Sequence, residues 1–198
     1  RRLVQFNPLA LKLAEAFWPG GLTLVLPKTA KCPVHDLASA GLPTLAIRVP
    51  AHPVAQALIL SAGVPIAAPS ANASGEPSPT RAAHVAESLG EALTILDAGP
   101  CNAGLESTVI GFDGRQAVLL RPGATAREDI ETITGPLAVA SDDESRPSSP
   151  GRLLRHYAPA AKLRLNAEAP RSGELYIAFG PTDVDDALQL SEAGSTRE

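Results

Sequence analysis

The sequence predicts an α/β fold in which helices pack on a sheet, and three observations indicate this class. The chain has 198 residues, 44% of them hydrophobic and 19% charged, a balance typical of one globular domain plus a smaller second unit. Short apolar runs typical of buried strands alternate with segments that have helical spacing and capping residues. Nineteen prolines and sixteen glycines separate these runs without a collagen-like period, so we expect many short elements joined by loops.

The first fifty residues predict one helix and two strands. Asn7-Pro8 places a capping side chain before a proline at the first helical position, which predicts a helix that runs to about Phe17. The apolar runs Leu22–Leu26 and Thr44–Val49 predict the first two strands. Alternation of the second run places Arg48 at the end of its strand.

Two further helices and two further strands are predicted next. Residues 52–60 open with a His-Pro pair and predict a helix, which the apolar run Val64–Ala68 follows as a third strand. Residues 81–89 predict another helix, and Leu93–Asp97 predicts a fourth strand. Because ligands of such sheets usually bind in loops beyond the strand ends, the loop after the third strand is a candidate site.

The last hundred residues contain a hairpin signal and a change in composition. Asp113-Gly114 separates the runs Ser107–Phe112 and Ala117–Arg121, a pattern that predicts a β-hairpin. Residues 126–133 have helical spacing, and residues 141–150 are polar and contain prolines and serines, which is typical of a linker.

These patterns predict three parts of the chain. We expect a main α/β domain over residues 1–140, a linker over 141–160 and the start of a small α/β domain over 161–198. A strand within 174–179 is expected to begin the sheet of this small domain. Its residues are too few to bury much core alone.

Composition excludes several classes of protein. The formal net charge of −4 argues against a protein that coats nucleic acid through bulk electrostatics. No apolar stretch approaches the roughly 20 residues of a membrane-spanning helix, and the first residues lack the apolar core of a signal peptide, so we expect a soluble, cytoplasmic protein with no membrane partner. Cys32 and Cys101 are too few for a disulfide framework or a complete metal site.

Two polar turns are candidate binding loops. The loop Ser70–Ser78 combines hydroxyls, an amide and a glycine, as loops that present N–H groups to phosphate oxygens do, but an ordinary capped loop has the same composition. The turn Gly104–Thr108 leads into a strand, where Ser and Thr are also common for structural reasons. No Walker-type phosphate loop, dinucleotide-binding glycine motif, nucleophile elbow or His-Glu-x-x-His zinc motif is present in the sequence.

Arginines in apolar strands are a second signal. Arg48 and Arg121 lie in or at the end of such strands, where a guanidinium is rarely buried without a planar anionic partner. The two residues either clamp a carboxylate or phosphate of a ligand or pair with acidic residues at the sheet edge. Residues 152–159 join cations to an aromatic side chain, and this segment either folds back over a site or is a solvated basic stretch.

Taken together, six segments resemble the threonylcarbamoyl-adenylate synthase family in their order and spacing. Residues 150–159 resemble the linker of the long form of this family, which has a YrdC-like domain followed by a small C-terminal domain. The six segments are Phe17-Trp18-Pro19-Gly20-Gly21-Leu22-Thr23, Thr44-Leu45-Ala46-Ile47-Arg48-Val49-Pro50, Pro69-Ser70-Ala71-Asn72-Ala73-Ser74-Gly75, Ser107-Thr108-Val109-Ile110, Leu120-Arg121-Pro122-Gly123 and Pro150-Gly151-Arg152-Leu153-Leu154-Arg155-His156-Tyr157-Ala158-Pro159.

The resemblance implies a fold, an activity and partners. The fold would be a YrdC-like twisted sheet with flanking helices around a concave, positively lined cavity. The enzyme would be a nucleotidyltransferase that converts L-threonine, bicarbonate and ATP to threonylcarbamoyl-AMP and pyrophosphate, with Mg²⁺ bound to the ATP. Its product would serve the N6-threonylcarbamoyl modification of adenosine 37 in tRNA, with tRNA or a threonylcarbamoyl-transferase complex as the acceptor.

The resemblance also implies site residues, but no protein nucleophile and no dedicated metal ligand. By similarity, Arg48 and Ser107 would bind L-threonine. The residues that would bind the nucleotide come from four segments of the chain: Thr44, Ser70, Asn72, Ser78, Arg121 and Tyr157.

One departure from the family is expected to matter. Members carry a basic Lys-x-Arg motif near their start that reaches the ATP phosphates, and this chain has none. The chain also lacks methionine, even at position 1, so we expect its N-terminus to be incomplete and this fragment to be inactive alone.

Two alternatives stay open: a carbamoyl-adenylate-forming domain of the hydrogenase-maturation type, and a non-catalytic module that binds double-stranded RNA or tRNA.

Overall fold

The computed structural model describes residues 3–90, 92–139 and 161–194 of the chain. It divides into two compact units, residues 1–159 and 160–198. The domain boundaries expected from sequence stay a prediction, and the expected linker over 141–160 lies outside the described residues. In the larger unit the elements are α1 (Pro8–Phe17), β1 (Leu22–Pro27), a 3-10 turn (Asp36–Ser39), β2 (Thr44–Ile47), α2 (Pro53–Ala62), α3 (Ala82–Leu89), β3 (Thr108–Asp113), β4 (Gln116–Arg121), α4 (Arg127–Thr134) and β5 (Ala138–Val139).

A five-stranded mixed sheet in the order β2-β1-β3-β4-β5 forms the centre of this unit. β1 pairs antiparallel with β2 and parallel with β3, β3 pairs antiparallel with β4, and β4 pairs parallel with β5. The α/β class, with a sheet and flanking helices, is therefore confirmed. Among the described residues, no helix is long and apolar enough to cross a membrane.

The hydrophobic core lies between one face of this sheet and two helices. The N-cap is as predicted, since Asn7 Oδ1 accepts a hydrogen bond of 2.7 Å from the Ala10 backbone N–H, and α1 presents buried Ala10 and Leu13 to the sheet. Alternate residues of β1 face these helices, and α4 adds Ile130. The fully buried side chains of this core include Leu13, Leu22, Leu24, Leu26, Ile110 and Ile130.

The predicted hairpin is confirmed, and it contains an irregularity that the sequence did not reveal. β3 and β4 pair from Asp113↔Gln116 to Ile110↔Leu119, and the register then shifts, so that Val109 pairs with Arg121. Such a bulge places an extra residue in one strand and redirects the side chains beside it. It brings Arg121 onto the face of the sheet opposite the core, which is the face that Val109 shares.

Two predicted strands are wrong. The segments Val64–Ala68 and Leu93–Asp97 form no strand, and both have exposed apolar side chains, with Val64 60% and Leu96 66% exposed. A strand requires a partner for its backbone N–H and C=O groups. No described residue pairs with either segment, so these apolar runs stay outside the sheet.

The smaller unit contains β6 (Ile177–Phe179) and β7 (Leu188–Ser191), which pair in parallel. The buried Ala178 lies in β6, and the Tyr176 hydroxyl donates to the carbonyl of Ala167 at 3.0 Å. An ion pair between Arg164 and Glu174 joins two loops of this unit.

The Glu174 carboxylate gives this unit a testable acid sensitivity. Hydrogen bonds from the Arg164 guanidinium and the Arg171 backbone N–H lower the pKa of Glu174 to about 2, from an ordinary value of 4.5. Because the folded state binds the proton less tightly than the unfolded state, the stabilisation is complete above about pH 4.5 and is lost as the pH falls towards about 2.

We therefore expect Glu174→Gln to destabilise this unit at pH 7 and to have no effect below about pH 2. The measurement is thermal unfolding followed at the Ala178 methyl resonance by NMR across this pH range. Glu168→Gln, which changes an exposed carboxylate of the same unit, is the matched control. A stability difference between wild type and Glu174→Gln that stays constant with pH would contradict the assignment.

Candidate functional site

One row of side chains crosses the sheet on the face opposite α1 and α4. Thr23 of β1 pairs with Val109 of β3, which pairs with Arg121 of β4. The last pair between β1 and β2 is Leu24↔Ile47, so the register carries Arg48 to the position opposite Thr23. Arg48 and Arg121 thus stand at the two ends of one row, about 14 Å apart at three strand spacings.

Ser107 links the middle of this row to Arg121. Its side chain is almost buried, at 9% exposure, and its Oγ forms a hydrogen bond of 2.7 Å with Thr23 Oγ1. The Arg121 Nε and Nη2 atoms donate to the Ser107 carbonyl at 3.2 and 2.9 Å, and Nη2 also reaches Ser107 Oγ at 3.2 Å. The hydroxyl of Ser107 is therefore held on both sides.

Glu106 joins Arg121 to the loop that follows α2. One of its carboxylate oxygens accepts a hydrogen bond from the Ser78 hydroxyl, and the other pairs with Arg121 Nη1. The side chains of Arg121 and Glu106 are only 16% and 22% exposed. Of the two possibilities that the sequence left open for Arg121, the structure has the pairing with an acidic residue.

The backbone around Glu106 and Ser107 is fixed by close packing. The Ala124 N–H donates to the Glu106 carbonyl at 2.7 Å, and the Thr108 N–H donates to the Gly21 carbonyl at 2.9 Å. Gly123 lies so close to this turn that a Cβ atom on it would be 2.3 Å from the Glu106 carbonyl oxygen. Only a glycine fits there without displacing the chain.

Asn72 lies in a second, separate cluster within the loop Ser70–Ser78. Its Nδ2 donates to the carbonyls of Ala73 and Glu76 at 2.9 and 3.0 Å, which fixes the orientation of the amide. Ser88 of α3 supports the loop through the Ala73 N–H and the Glu76 carboxylate. Asn72 Oδ1 is buried and has no hydrogen-bond partner within the described part of the chain. Buried polar atoms usually have a hydrogen-bond partner, and for this oxygen no described protein group supplies one.

Some of the predicted site residues lie together on one face of the sheet. Ser78, Ser107 and Arg121 form one hydrogen-bonded cluster through Glu106, and Arg48 lies in the same row with an exposed side chain. Across residues 3–90, 92–139 and 161–194, no hydrogen bond or ion pair engages the Arg48 side chain.

The other predicted residues lie outside this cluster. Thr44 is half-buried at the start of β2, and Ser70 is exposed. No hydrogen bond joins Thr44, Ser70 or Asn72 to the Ser107 cluster in the described ranges. Tyr157 lies outside the described residues.

Sequence reasoning missed Glu106 and Thr23 as parts of the site. Thr23 stands in a segment that carries the family resemblance and Glu106 stands in the polar turn Gly104–Thr108, but no residue-level signal assigned either of them a role. For Glu106 the available signal was its position directly before Ser107, together with the need of an arginine in an apolar strand for an anionic partner. For Thr23 the signal appears only in the pairing of β1 with β3.

The larger unit has a cavity whose lining contains none of the predicted site residues. Its volume is about 330 Å³, and it is lined by Val4, Gln5, Phe6, Leu11 and Thr29. The concave basic cavity expected from the resemblance stays a prediction. Within the described ranges, no group of three or more His, Cys, Asp or Glu side chains is placed to hold a metal ion.

Comparison with known proteins agrees with the motifs. The model of the Sua5_yciO_yrdC family, described as "Telomere recombination", matches residues 1–123. A second model, described as "Threonylcarbamoyl-AMP synthase, C-terminal domain", matches residues 125–193. The chain resembles the threonylcarbamoyl-AMP synthase of Bacillus subtilis at 49% identity (81% of this chain, 47% of the relative) and that of Pyrococcus abyssi at 47% identity (80% and 47%).

Solved structures show the same relationship. The structure of Pyrococcus abyssi Sua5 complexed with L-threonine superimposes with a TM-score of 0.73 at 41% identity, over 92% of this chain and 52% of that one. A variant of the same protein, H234A/Y235A, gives a TM-score of 0.66 at 46% identity, over 72% and 44%. The chain spans about half the length of these relatives. The resemblance inferred from the motifs is confirmed, and the chain belongs to the Sua5_yciO_yrdC family.

Proposed function

We propose that the protein is an L-threonylcarbamoyladenylate synthase, which converts L-threonine, bicarbonate and ATP to threonylcarbamoyl-AMP and pyrophosphate. The observation that carries the proposal is the row from Arg48 to Arg121, with the held hydroxyl of Ser107 between the two arginines. The names of the relatives and the complex of one of them with L-threonine support it. The product would serve the N6-threonylcarbamoyl modification of adenosine 37 in tRNA.

In this proposal the amino acid binds between Arg48 and Ser107. The exposed Arg48 guanidinium, with no partner in the described ranges, suits the threonine carboxylate, because a guanidinium and a carboxylate form two parallel charge-assisted hydrogen bonds. Ser107 Oγ, oriented by Thr23 and Arg121, suits a polar group at the other end of the amino acid.

The nucleotide is proposed to bind beside Ser78 and Arg121, with Thr44, Ser70, Asn72 and Tyr157 completing its site. Asn72 has a defined part in this arrangement. Its unpartnered Oδ1 is an acceptor, so it suits a hydroxyl or amino group of the nucleoside rather than a phosphate oxygen.

The residues present suit a reaction that depends on positioning. The threonine amine and bicarbonate form a carbamate with release of water, and a carbamate oxygen then attacks the α-phosphorus of ATP while pyrophosphate leaves. Such a transfer requires aligned reactants and neutralised charge more than a protein nucleophile. Arg48 would hold the amino acid, and Arg121 and Ser78 would hold the nucleotide in line with it.

We propose that Mg²⁺ enters with ATP. The hydroxyl oxygens around the site are neutral ligands that suit an ion already bound to phosphate, since Mg²⁺ is usually held by few protein groups plus substrate phosphates. Bound there, the ion would neutralise charge on the triphosphate.

We further propose tRNA or a threonylcarbamoyl-transferase complex as the acceptor of the product, and the cytoplasm as the place of reaction.

The test is to incubate the complete protein with ATP, Mg²⁺, labelled bicarbonate and L-threonine. We expect pyrophosphate and a labelled adenylate that contains threonine, both dependent on L-threonine. Pyrophosphate release that depends on carbamoyl phosphate would contradict the proposal in favour of the hydrogenase-maturation type. Binding of tRNA without either reaction would contradict it in favour of a non-catalytic module.

The Asn72 amide provides a further prediction. In Asn72→Asp a carboxylate oxygen replaces Nδ2 and faces the carbonyls of Ala73 and Glu76, which repel it. We expect the KM for ATP to rise roughly tenfold or more, with a smaller change in the KM for L-threonine. The reason is that the loss of a neutral hydrogen bond and the gain of an unpaired charge together cost about 1.5 kcal/mol or more. Asn102→Asp, in an exposed loop, is the control. Equal changes in both KM values would overturn the assignment of Asn72.

A further inference from the structure

We infer that Glu106 is a positioning residue shared by the amino-acid and nucleotide subsites, an inference that rests on the proposed function. Its carboxylate bridges Ser78 and Arg121, and Arg121 in turn holds Ser107. Ser107 belongs to the proposed threonine subsite, and Ser78 belongs to the proposed nucleotide subsite. Glu106 is therefore the group through which both subsites are held in one geometry.

The hydrogen bonds of Arg121 show how Glu106 acts on both subsites. A guanidinium has five N–H donors in a planar fork. Arg121 directs Nε and both Nη2 donors at Ser107, and it directs an Nη1 donor at Glu106. The other Nη1 N–H has no acceptor among the residues that the structure describes, and we assign it to a ligand. Glu106 thus sets the plane of the guanidinium, and with it the direction of the remaining donor.

Charge and burial make this arrangement rigid. Because the side chains of Glu106 and Arg121 are mostly buried, their attraction is less screened than that of a surface pair. The bond from the Ala124 N–H and the packing of Gly123 hold the backbone of Glu106 itself. Arg121 is thus matched by a carboxylate, whereas Arg48 has none beside it in the described part of the chain. This difference assigns the threonine carboxylate to Arg48.

Removal of the carboxylate should therefore affect both ligands. In Glu106→Ala the Ser78 hydroxyl and Arg121 Nη1 both lose their acceptor, and Arg121 can turn away from Ser107. Glu106→Gln keeps one oxygen acceptor for one of the two donors. The expected pattern differs from that of Arg48→Ala, which affects L-threonine alone, and from that of Asn72→Asp, which acts mainly on the nucleotide.

The experiment is calorimetric titration of the complete protein with L-threonine and, separately, with the non-hydrolysable ATP analogue AMP-PNP. For Glu106→Ala we expect both Kd values to rise roughly tenfold or more, as expected for loss of hydrogen bonds to charged groups. Glu106→Gln should show intermediate increases. Glu128→Gln, which changes an exposed carboxylate in the first turn of α4, should leave both Kd values unchanged.

A double-mutant cycle separates positioning from general destabilisation. The Kd increases of Glu106→Ala and Arg121→Ala should be strongly non-additive, because the two side chains act as a unit, whereas those of Glu106→Ala and Arg48→Ala should add. If Glu106→Ala does not fold, the same cycle is measured with Glu106→Gln.

Three outcomes would overturn the inference. They are a change in the Kd of one ligand only, additivity of Glu106 with Arg121, and tighter AMP-PNP binding by either Glu106 variant, which would make the carboxylate a competitor of the ligand. If the wild-type protein binds neither L-threonine nor AMP-PNP, the proposed function itself fails and the inference falls with it.

Discussion

Replacing Arg48 with alanine will raise the KM for L-threonine roughly 10- to 100-fold and will leave the KM for ATP nearly unchanged. The reason is that hydrogen bonds to charged groups are worth about 1.5–3 kcal/mol, and each 1.4 kcal/mol is a factor of about ten in affinity. Arg48 lies just beyond β2, its side chain is exposed, and it packs in no core, so the fold should survive the change. The measurement is the initial rate of pyrophosphate release with each substrate varied in turn.

Arg115→Ala is the matched control, because Arg115 is an exposed arginine in the turn of the β3–β4 hairpin. This change removes the same charge, but at the opposite end of the hairpin from Arg121, so it should change neither the KM for L-threonine nor the KM for ATP. Equal increases in the KM for L-threonine and ATP in Arg48→Ala would show that Arg48 does not belong to the amino-acid subsite.

Replacing Gly123 with alanine is expected to disrupt the site and to destabilise the larger unit. The added Cβ would lie 2.3 Å from the Glu106 carbonyl oxygen and 2.6 Å from backbone atoms of Ser107 and Thr108, and backbone atoms cannot rotate away as a side chain can. Overpacking of this kind costs about 3 kcal/mol. The turn that carries Glu106 and Ser107 must move, so binding of L-threonine should be lost at temperatures where the protein is still folded.

Gly104→Ala tests whether the effect is steric. Gly104 lies in the same loop as Glu106, and a Cβ there would meet no atom within 4 Å. Thermal unfolding and L-threonine titration should therefore show wild-type behaviour for Gly104→Ala and large losses for Gly123→Ala. A Gly123→Ala protein that binds L-threonine as the wild type does would contradict the packing described for this turn.

Elements with local signals could be predicted from the sequence. The cap of α1 depends on Asn7 and Pro8, which are adjacent in the chain, and the β3–β4 hairpin depends on Asp113-Gly114 between two apolar runs. In both cases the residues that determine the structure lie within a few positions of one another. Helices α2, α3 and α4 likewise formed where their spacing predicted them.

The remaining features depend on partners that are distant in sequence. Val64–Ala68 and Leu93–Asp97 have the composition of strands, but a strand forms only beside another strand, and composition does not reveal whether one is present. The bulge at Val109, which turns Arg121 towards Ser107, depends on the register between two strands. The bond between Thr23 and Ser107 spans 84 positions of the chain, so no local pattern could predict it.

The site residues illustrate the same limit. Apolar strands around Arg48 and Arg121 indicated that both guanidinium groups need anionic partners. The sequence did not indicate that the two would differ, with Arg121 paired to Glu106 and Arg48 unengaged by any side chain in the described ranges. On the proposed function, this difference in pairing separates an arginine that would position the site from one that would bind a substrate carboxylate.

A crystal structure of the complete protein with L-threonine and AMP-PNP tests the central claim most directly, namely that one face of the sheet binds both ligands. We predict the threonine carboxylate about 3 Å from the Arg48 guanidinium, its other end beside Ser107, and the nucleotide beside Ser78 and Arg121. Ligands bound on the α1 and α4 side of the sheet, or bound with Arg48 and Ser107 both out of contact, would contradict the account.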